Sequence, residues 1–285
     1  LNRGDASLTV SSILLGSPAD GLLQAFDRIV RINERPLRGM GPKEVDRLLS
    51  GEAGDTVRLT VVRDVQVINL EMVIRQFGVE NLIDDVLPDG VGYIAIKKIT
   101  KDSSAELKAK LGELLDEGIS KAIIDLRGNG GGVFIEGLRM AELVLAKNQV
   151  MLHTVQAGDK VQRYVSANDS PLRMKLVALV DSDTASASEI FASALQAHGL
   201  APLVGTTTRG KATMEKTFTL ENDYRVKFII GALFEPRGKS WQESGLRPDF
   251  HIAADKEQLK LAAKLPLSAR IERDAQLRAA WRLLR

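Results

Sequence analysis

Cysteine is absent from this 285-residue chain, so it can form neither a disulfide framework nor a thiolate metal site, and redox chemistry says nothing of its compartment. Histidine is scarce. His153, His198 and His251 are scattered along the chain, which argues against a zinc centre, and nothing else calls for a metal or an organic cofactor. Aromatic residues make up only 5% of the sequence, and no basic stripe interleaves with them. With a net charge of +2 and acidic and basic residues interspersed, nucleic acid is not an expected partner. No apolar run approaches the length of a membrane span, and no signal peptide, internal repeat or low-complexity tract is visible.

What the chain does have is enough apolar residue, 44%, and enough length for two cores. The first quarter reads as short strands. Leu8–Val10, Ile13–Leu15, the alternating Asp27–Asn33 and the alternating Thr56–Arg63 are joined by turns and by a short amphipathic helix over 42–49. The centre alternates differently. Strands at Tyr93–Ile96, Ala122–Asp125, Leu176–Val180 and Leu203–Val204 are separated by helical patterns over 103–115, 135–145 and 187–197, which predicts a largely parallel sheet covered by helices. Strands over 224–230 and 232–234 follow. At the end, Asp274–Leu284 is an amphipathic helix whose Leu277, Trp281 and Leu284 either pack on their own core or serve a homo-oligomer.

The chemistry concentrates where the buried run Leu176–Val180 gives way to a helix. Ser186 stands at that strand-to-helix turn, where unpaired N–H groups and the helix dipole stabilise negative charge. A serine nucleophile needs a base. His198 lies near the far end of the helix that Ser186 opens, too distant at about 1.5 Å of rise per residue. Lys211, on the Gly-bounded loop Gly205–Gly210, is the other candidate. A free lysine, with a pKa of about 10.4, is protonated at neutral pH, but burial can lower that value enough for a serine–lysine dyad. The plainer alternative makes Ser186 a helix N-cap and Lys211 a solvated loop charge. A second feature is Asp125-Leu-Arg-Gly-Asn-Gly-Gly-Gly132 at the end of a strand. Its glycines permit positive φ and let N–H groups converge on one substrate atom. A phosphate loop is excluded there, because no Gly-Lys-Ser/Thr follows and the dinucleotide glycine spacing is missing.

Thr184-Ala-Ser-Ala-Ser-Glu-Ile190 with Gly210-Lys211 resembles the carboxy-terminal processing proteases, as do the Asp125–Gly132 turn, Val91–Ile96, Trp241-Gln242 and Gly245-Leu-Arg-Pro-Asp249. In the first quarter, Gly16-Ser-Pro-Ala19, Asp27-Arg-Ile-Val30, Ile32-Asn33 and Gly54–Arg63 look like a PDZ domain of that family. The resemblance implies an α/β fold, with a ClpP/crotonase-like core whose parallel-rich sheet is covered by helices, preceded by a small mixed α+β PDZ domain. The expected division is a PDZ domain truncated at its start over 1–76, a protease core over 77–254 and a helical extension over 255–285. It also implies Ser186 as nucleophile and Lys211 as base, with an oxyanion held by the amides of Gly131 (or Gly132) and Ala187. Substrates would be protein or peptide C-terminal tails bound by strand addition to the PDZ domain. The location would be extracytoplasmic, most simply the periplasm.

Three departures stand out. Glu215 occupies the position, four residues after the lysine, where the family carries a lysine-orienting glutamine. A carboxylate there favours the ammonium form of Lys211 and predicts a latent or alkaline-shifted enzyme, unless Glu215 faces solvent or pairs with Arg209 or Lys216. Phe26 replaces the glycine common before Asp27, and Leu1–Asp5 does not reproduce the loop that receives a peptide carboxylate. The chain starts at Leu1 inside the PDZ pattern, so a piece of a longer protein is expected, with any targeting segment outside it. Two other functions fit some of these residues. One is a silent or latent PDZ scaffold awaiting an activating adaptor; the other is a small-molecule acyl hydrolase or hydratase on the same core.

Overall fold

The computed structural model describes residues 2–4, 7–10, 13, 17–24, 26–75, 81–219, 225–255, 259, 262 and 265–285. The chain divides into two compact units, 1–80 and 81–285. The expected strand at Ile13–Leu15, the carboxylate loop at 1–5 and the boundary near 76 fall wholly or partly outside the described residues.

The first unit holds β1 (Asn2–Gly4), β2 (Ser7–Thr9), β3 (Arg28–Ile32), β4 (Arg35–Pro36), α1 (Pro42–Leu49), β5 (Thr56–Arg63) and β6 (Gln66–Val73). The sheet is antiparallel in the order β1-β2-β3-β5-β6, with β4 on β3. Alternation along β5 turns Val57, Leu59 and Val61 inward, and a register shift in β3 between Ile29 and Arg31 lets both Ile29 and Ile32 join them in one core with Val45 of α1. The turn into β3 is held by charge. Asp27 is buried and takes two hydrogen bonds from Arg63, both 2.8 Å, which hold its carboxyl below the usual range. Just before it, Phe26 sits at φ 73° with its ring 82% exposed. That backbone suits glycine and strains an L-residue.

The second unit continues with β7 (Leu82–Leu87), β8 (Val91–Ile96), α2 (Ser103–Asp116), β9 (Lys121–Asp125), α3 (Phe134–Glu142), β10 (Val150–Gln156) and β11 (Lys160–Val165). Then come β12 (Lys175–Val180), α4 (Ala187–Ala197), β13 (Leu203–Gly205), β14 (Thr213–Thr219), β15 (Arg225–Phe234) and β16 (Phe250–His251). Two final helices are α5 (Leu267–Arg273) and α6 (Ala275–Leu284). The main sheet runs β16-β13-β12-β9-β8-β7, parallel except for β7. The four inner strands, β8, β9, β12 and β13, are buried on both faces, as a covered parallel sheet requires. Ile94, Ile96, Ile124, Ala178 and Val180 pack in one core with residues of α2, α3 and α4. Val91, Tyr93, Ile123, Val177 and Leu179 pack in another with Leu267, Ile271, Leu277, Ala280 and Leu284.

The C-terminal stripe is therefore part of the core. Leu277 and Leu284 are buried under the sheet, and Trp281 Nε1 donates to the Pro88 carbonyl at 2.9 Å. The two final helices, α5 and α6, belong to the larger compact unit. A second sheet, antiparallel in the order β11-β10-β15-β14, was not foreseen, and β15 runs unbroken where two strands were expected. No helix among the described residues is long and apolar enough to cross a membrane.

Replacing Phe26 by glycine should relieve the backbone strain and stabilise the first unit by about 1 kcal/mol. Hydrogen exchange of β3 and β5 amides in the intact chain checks this; unchanged or faster exchange would contradict it.

Candidate active site

Parallel strands β8, β9, β12 and β13 all end on the same edge of the sheet, so the loops that follow them converge. The loop after β12 carries Ser186, which adopts φ 56° and N-caps α4. Three residues on, fully buried Glu189 reaches back, as in a capping box. Its Oε2 accepts from the Ser186 amide at 2.8 Å and the Lys211 amide at 2.9 Å. Its Oε1 accepts from Thr208 Oγ1 at 2.5 Å and the Gly210 amide at 2.8 Å. One carboxylate thus joins the backbone of the serine to that of the lysine. Ser188, by contrast, is buried with no partner for its hydroxyl among the described residues.

The lysine loop is closed from outside by the Trp241–Asp249 segment. The Leu246 amide donates to Thr208 Oγ1 and the Ala212 amide to Gln242 Oε1, each at 2.8 Å. Gly210 has φ 85°, and a Cβ there would lie 2.8 Å from the Gly245 nitrogen. Only glycine fits that approach.

The loop after β9 supplies the glycine turn. The Ala185 amide donates to the Asn129 carbonyl at 3.0 Å, and Asn129 Nδ2 donates to the Ile96 carbonyl at 2.8 Å, so the turn is bound to both neighbouring loops. Gly131, at φ 90°, lies against the serine: a Cβ there would be 2.6 Å from the Ala185 oxygen and 2.9 Å from the Ala187 nitrogen. Its amide, expected to be an oxyanion donor, is already engaged, donating to Asn129 Oδ1 at 2.9 Å. The amides of Ala187 and Gly132 have no acceptor among the described residues.

The stem of the turn is a buried ion cluster. Arg127 pairs with Asp125 at 2.6 Å and with Asp274 at 2.8 Å, and donates to Gln276 Oε1 at 3.0 Å. Asp274 is the N-cap of α6. Burial alone would raise the Asp125 carboxyl, but Arg127's charge and hydrogen bonds outweigh it and hold the group below its ordinary value. Burial, then the Asp125 charge, push the Tyr93 hydroxyl well above its usual range while it donates to Asp125 at 2.7 Å.

Lys211 Nζ donates to Glu215 Oε2 at 2.9 Å and makes no hydrogen bond to Ser186. Glu215 accepts on the same oxygen from Lys227 of β15, at 2.5 Å. Neither alternative partner is used: Arg209 pairs with Asp183, and Lys216 lies over the Phe218 ring. Lys227 first, and Lys211 second, hold the Glu215 carboxyl below the usual range. The pairing is present above the ordinary carboxylate range and is lost as pH falls through that lowered value. The histidines are elsewhere. His198 Nε2 meets the Val150 carbonyl, His153 meets that of Pro236, and His251 lies on β16.

A model of peptidase family S41 matches residues 90–252, more than half of the chain. The chain belongs to peptidase family S41. A PDZ domain matches residues 9–63. Among curated S41-type relatives, the carboxyl-terminal-processing protease of Picosynechococcus sp. is 31% identical over 244 residues, 83% of this chain and 58% of that protein. The carboxy-terminal processing protease CtpA of Bacillus subtilis is 27% identical over 265 residues, 92% and 56% of the two chains. The chain spans about half the length of the curated relatives it matches. Two solved structures share the S41 fold. A putative S41 protease from Bacteroides fragilis matches with a TM-score of 0.63 at 20% identity, over 99% of this chain and 79% of that one. A photosystem II D1 C-terminal processing protease matches with 0.58 at 23%, over 93% and 74%.

Sequence reasoning passed over the groups that organise this site. Glu189 could have been found from the Ser-x-x-Glu spacing of a capping box. Thr208, Asn129 and Lys227 carry no such signal. Replacing Glu189 by alanine should leave four buried donors without an acceptor and cost about 3 kcal/mol or more. Urea denaturation measures it; a loss under about 1 kcal/mol would show that water takes over the four bonds.

Proposed function

We propose that this S41 chain is a serine endopeptidase cutting protein substrates near their C termini, with its PDZ domain recognising the tail or gating the site. The observation that carries this reading is the single buried carboxylate, Glu189, that ties Ser186 to Lys211 at the open edge of the sheet. Ser186 Oγ attacks the scissile carbonyl carbon while the neutral Lys211 amine takes its proton. The negative charge formed on oxygen is held by the Ala187 amide and by a donor from the Gly131–Gly132 turn, worth a few kcal/mol of barrier. Lys211 then returns the proton to the leaving amine, and water releases the acyl group from Ser186.

In the resting arrangement Lys211 Nζ is paired with Glu215 at 2.9 Å. That specific contact supports a second reading, a latent enzyme whose lysine must leave Glu215 before it can act, with an adaptor or the substrate itself as trigger. A small-molecule acyl hydrolase finds no such support. The names of the relatives favour tail processing, and an extracytoplasmic location, the periplasm in particular, goes with it.

The test is proteolysis of an unfolded model protein from about pH 6 to 10. Ser186→Ala and Lys211→Ala should each lower kcat/KM by about a thousandfold or more. Cleavage surviving either substitution would overturn the dyad. Glu215→Gln should raise activity near neutral pH, moving the rising limb of the profile down by about one unit. An unchanged profile would remove Glu215 from the mechanism.

A further inference from the structure

Lys211 is not alone on Glu215. Lys227 Nζ contacts the same carboxylate oxygen, so the two ammonium groups are separated by no more than two hydrogen-bond lengths. The strand register explains how Lys227 arrives there. β14 pairs with β15 so that Glu215 faces Ile229 and Thr217 faces Lys227, which makes Glu215 and Lys227 diagonal neighbours within reach of each other's long side chains. Lys227 is the largest influence keeping Glu215 ionised, ahead of Lys211.

Two consequences follow from charge alone. An isolated carboxylate beside Lys211 would hold it as a cation. A second cation on that carboxylate offsets part of its field and, being a like charge, disfavours the ammonium form of its neighbour. When Lys211 turns toward Ser186, Glu215 also keeps a partner in Lys227 rather than being left an unpaired anion. The other charges around Lys211 cannot do this. Glu189 is buried beneath the Lys211 amide and filled by four donors. Arg209 is taken by Asp183, Lys216 by the Phe218 ring, and Glu243 meets the loop through its amide, on the Gly210 carbonyl.

We propose that Lys227 is a positioning residue for the base: by neutralising Glu215 it frees Lys211 to be deprotonated and to move to Ser186. This rests on the reading of Lys211 as the base, and a readout independent of turnover keeps the two apart. In the full chain with 13C-labelled lysine, the Lys211 Cε signal, assigned by its loss in Lys211→Arg, is followed against pH. The parent is compared with Lys227→Met, Glu215→Gln and the double variant. Lys227→Met should move the Lys211 midpoint up by about one pH unit, and the rising limb of proteolysis should move with it. In the Glu215→Gln background the same change should shift it by less than half as much, because Lys227 no longer has an anion to hold it there. A Lys211 midpoint that stays put in Lys227→Met would overturn the proposal, as would equal shifts in both backgrounds. If the midpoint moves as expected but proteolysis survives Ser186→Ala, the dyad fails while the coupling of Lys227 to Lys211 through Glu215 stands.

Discussion

The site depends on a carboxylate shut away from solvent. Glu189 has no exposed surface, and each of its oxygens accepts two hydrogen bonds. Such an ion survives burial only when it is fully satisfied. The requirement runs outward from there. The serine amide, the lysine amide, Gly210 and Thr208 must all be presented at once, and they come from loops after two adjacent parallel strands. The short helix N-terminus, the Gly210 turn and the closing Trp241–Asp249 segment can all be understood as meeting that one demand. The reacting side chains remain free to move because it is their backbones, not their functional atoms, that are fixed.

The middle of the main sheet was legible in the sequence because β8, β9, β12 and β13 are buried on both faces and helices alternate with them; α4, for example, spans the predicted 187–197, whereas the exposed edge strands β7 and β16 were not anticipated. The small sheet was not. β11 is exposed along nearly its whole length and β14 along most of it, so neither has the apolar alternation that marks a strand. The two-faced character of the core hid a different fact. The stripe Leu277, Trp281 and Leu284 read as core with an interface as the rival, and the apolar back of the sheet, Tyr93, Ile123 and Leu179, gives it a partner. At the site, residue types and spacing left Ser186 and Lys211 readable as a helix N-cap and a solvated charge, and it was the resemblance that favoured them as a pair. The direction of a backbone amide cannot be read from sequence, and Gly131 illustrates it: its nitrogen is turned to Asn129.

The resting arrangement is governed by competition among short-range partners. Lys211 has Glu215, Glu215 has Lys227, and the Gly131 amide has Asn129. Each of these contacts is local and polar, and those around Glu215 are partly exposed. Rearranging them exchanges one hydrogen bond for another rather than breaking the core. A site of this kind can be assembled by an incoming main chain without any large motion of the sheet beneath it.

The Arg127 cluster carries a consequence for the order in which the molecule is made. Asp125 and Arg127 pair with each other within one turn of chain, but Arg127's further partners, Asp274 and Gln276, come nearly 150 residues later, at the start of α6. Domains fold broadly from the N terminus as they emerge. The guanidinium beneath the glycine turn that faces Ser186 therefore keeps open bonding positions until α6 is added. A chain shortened before Asp274 would retain Ser186, Lys211 and the glycine turn yet lack the two contacts that tie the stem of that turn to α6.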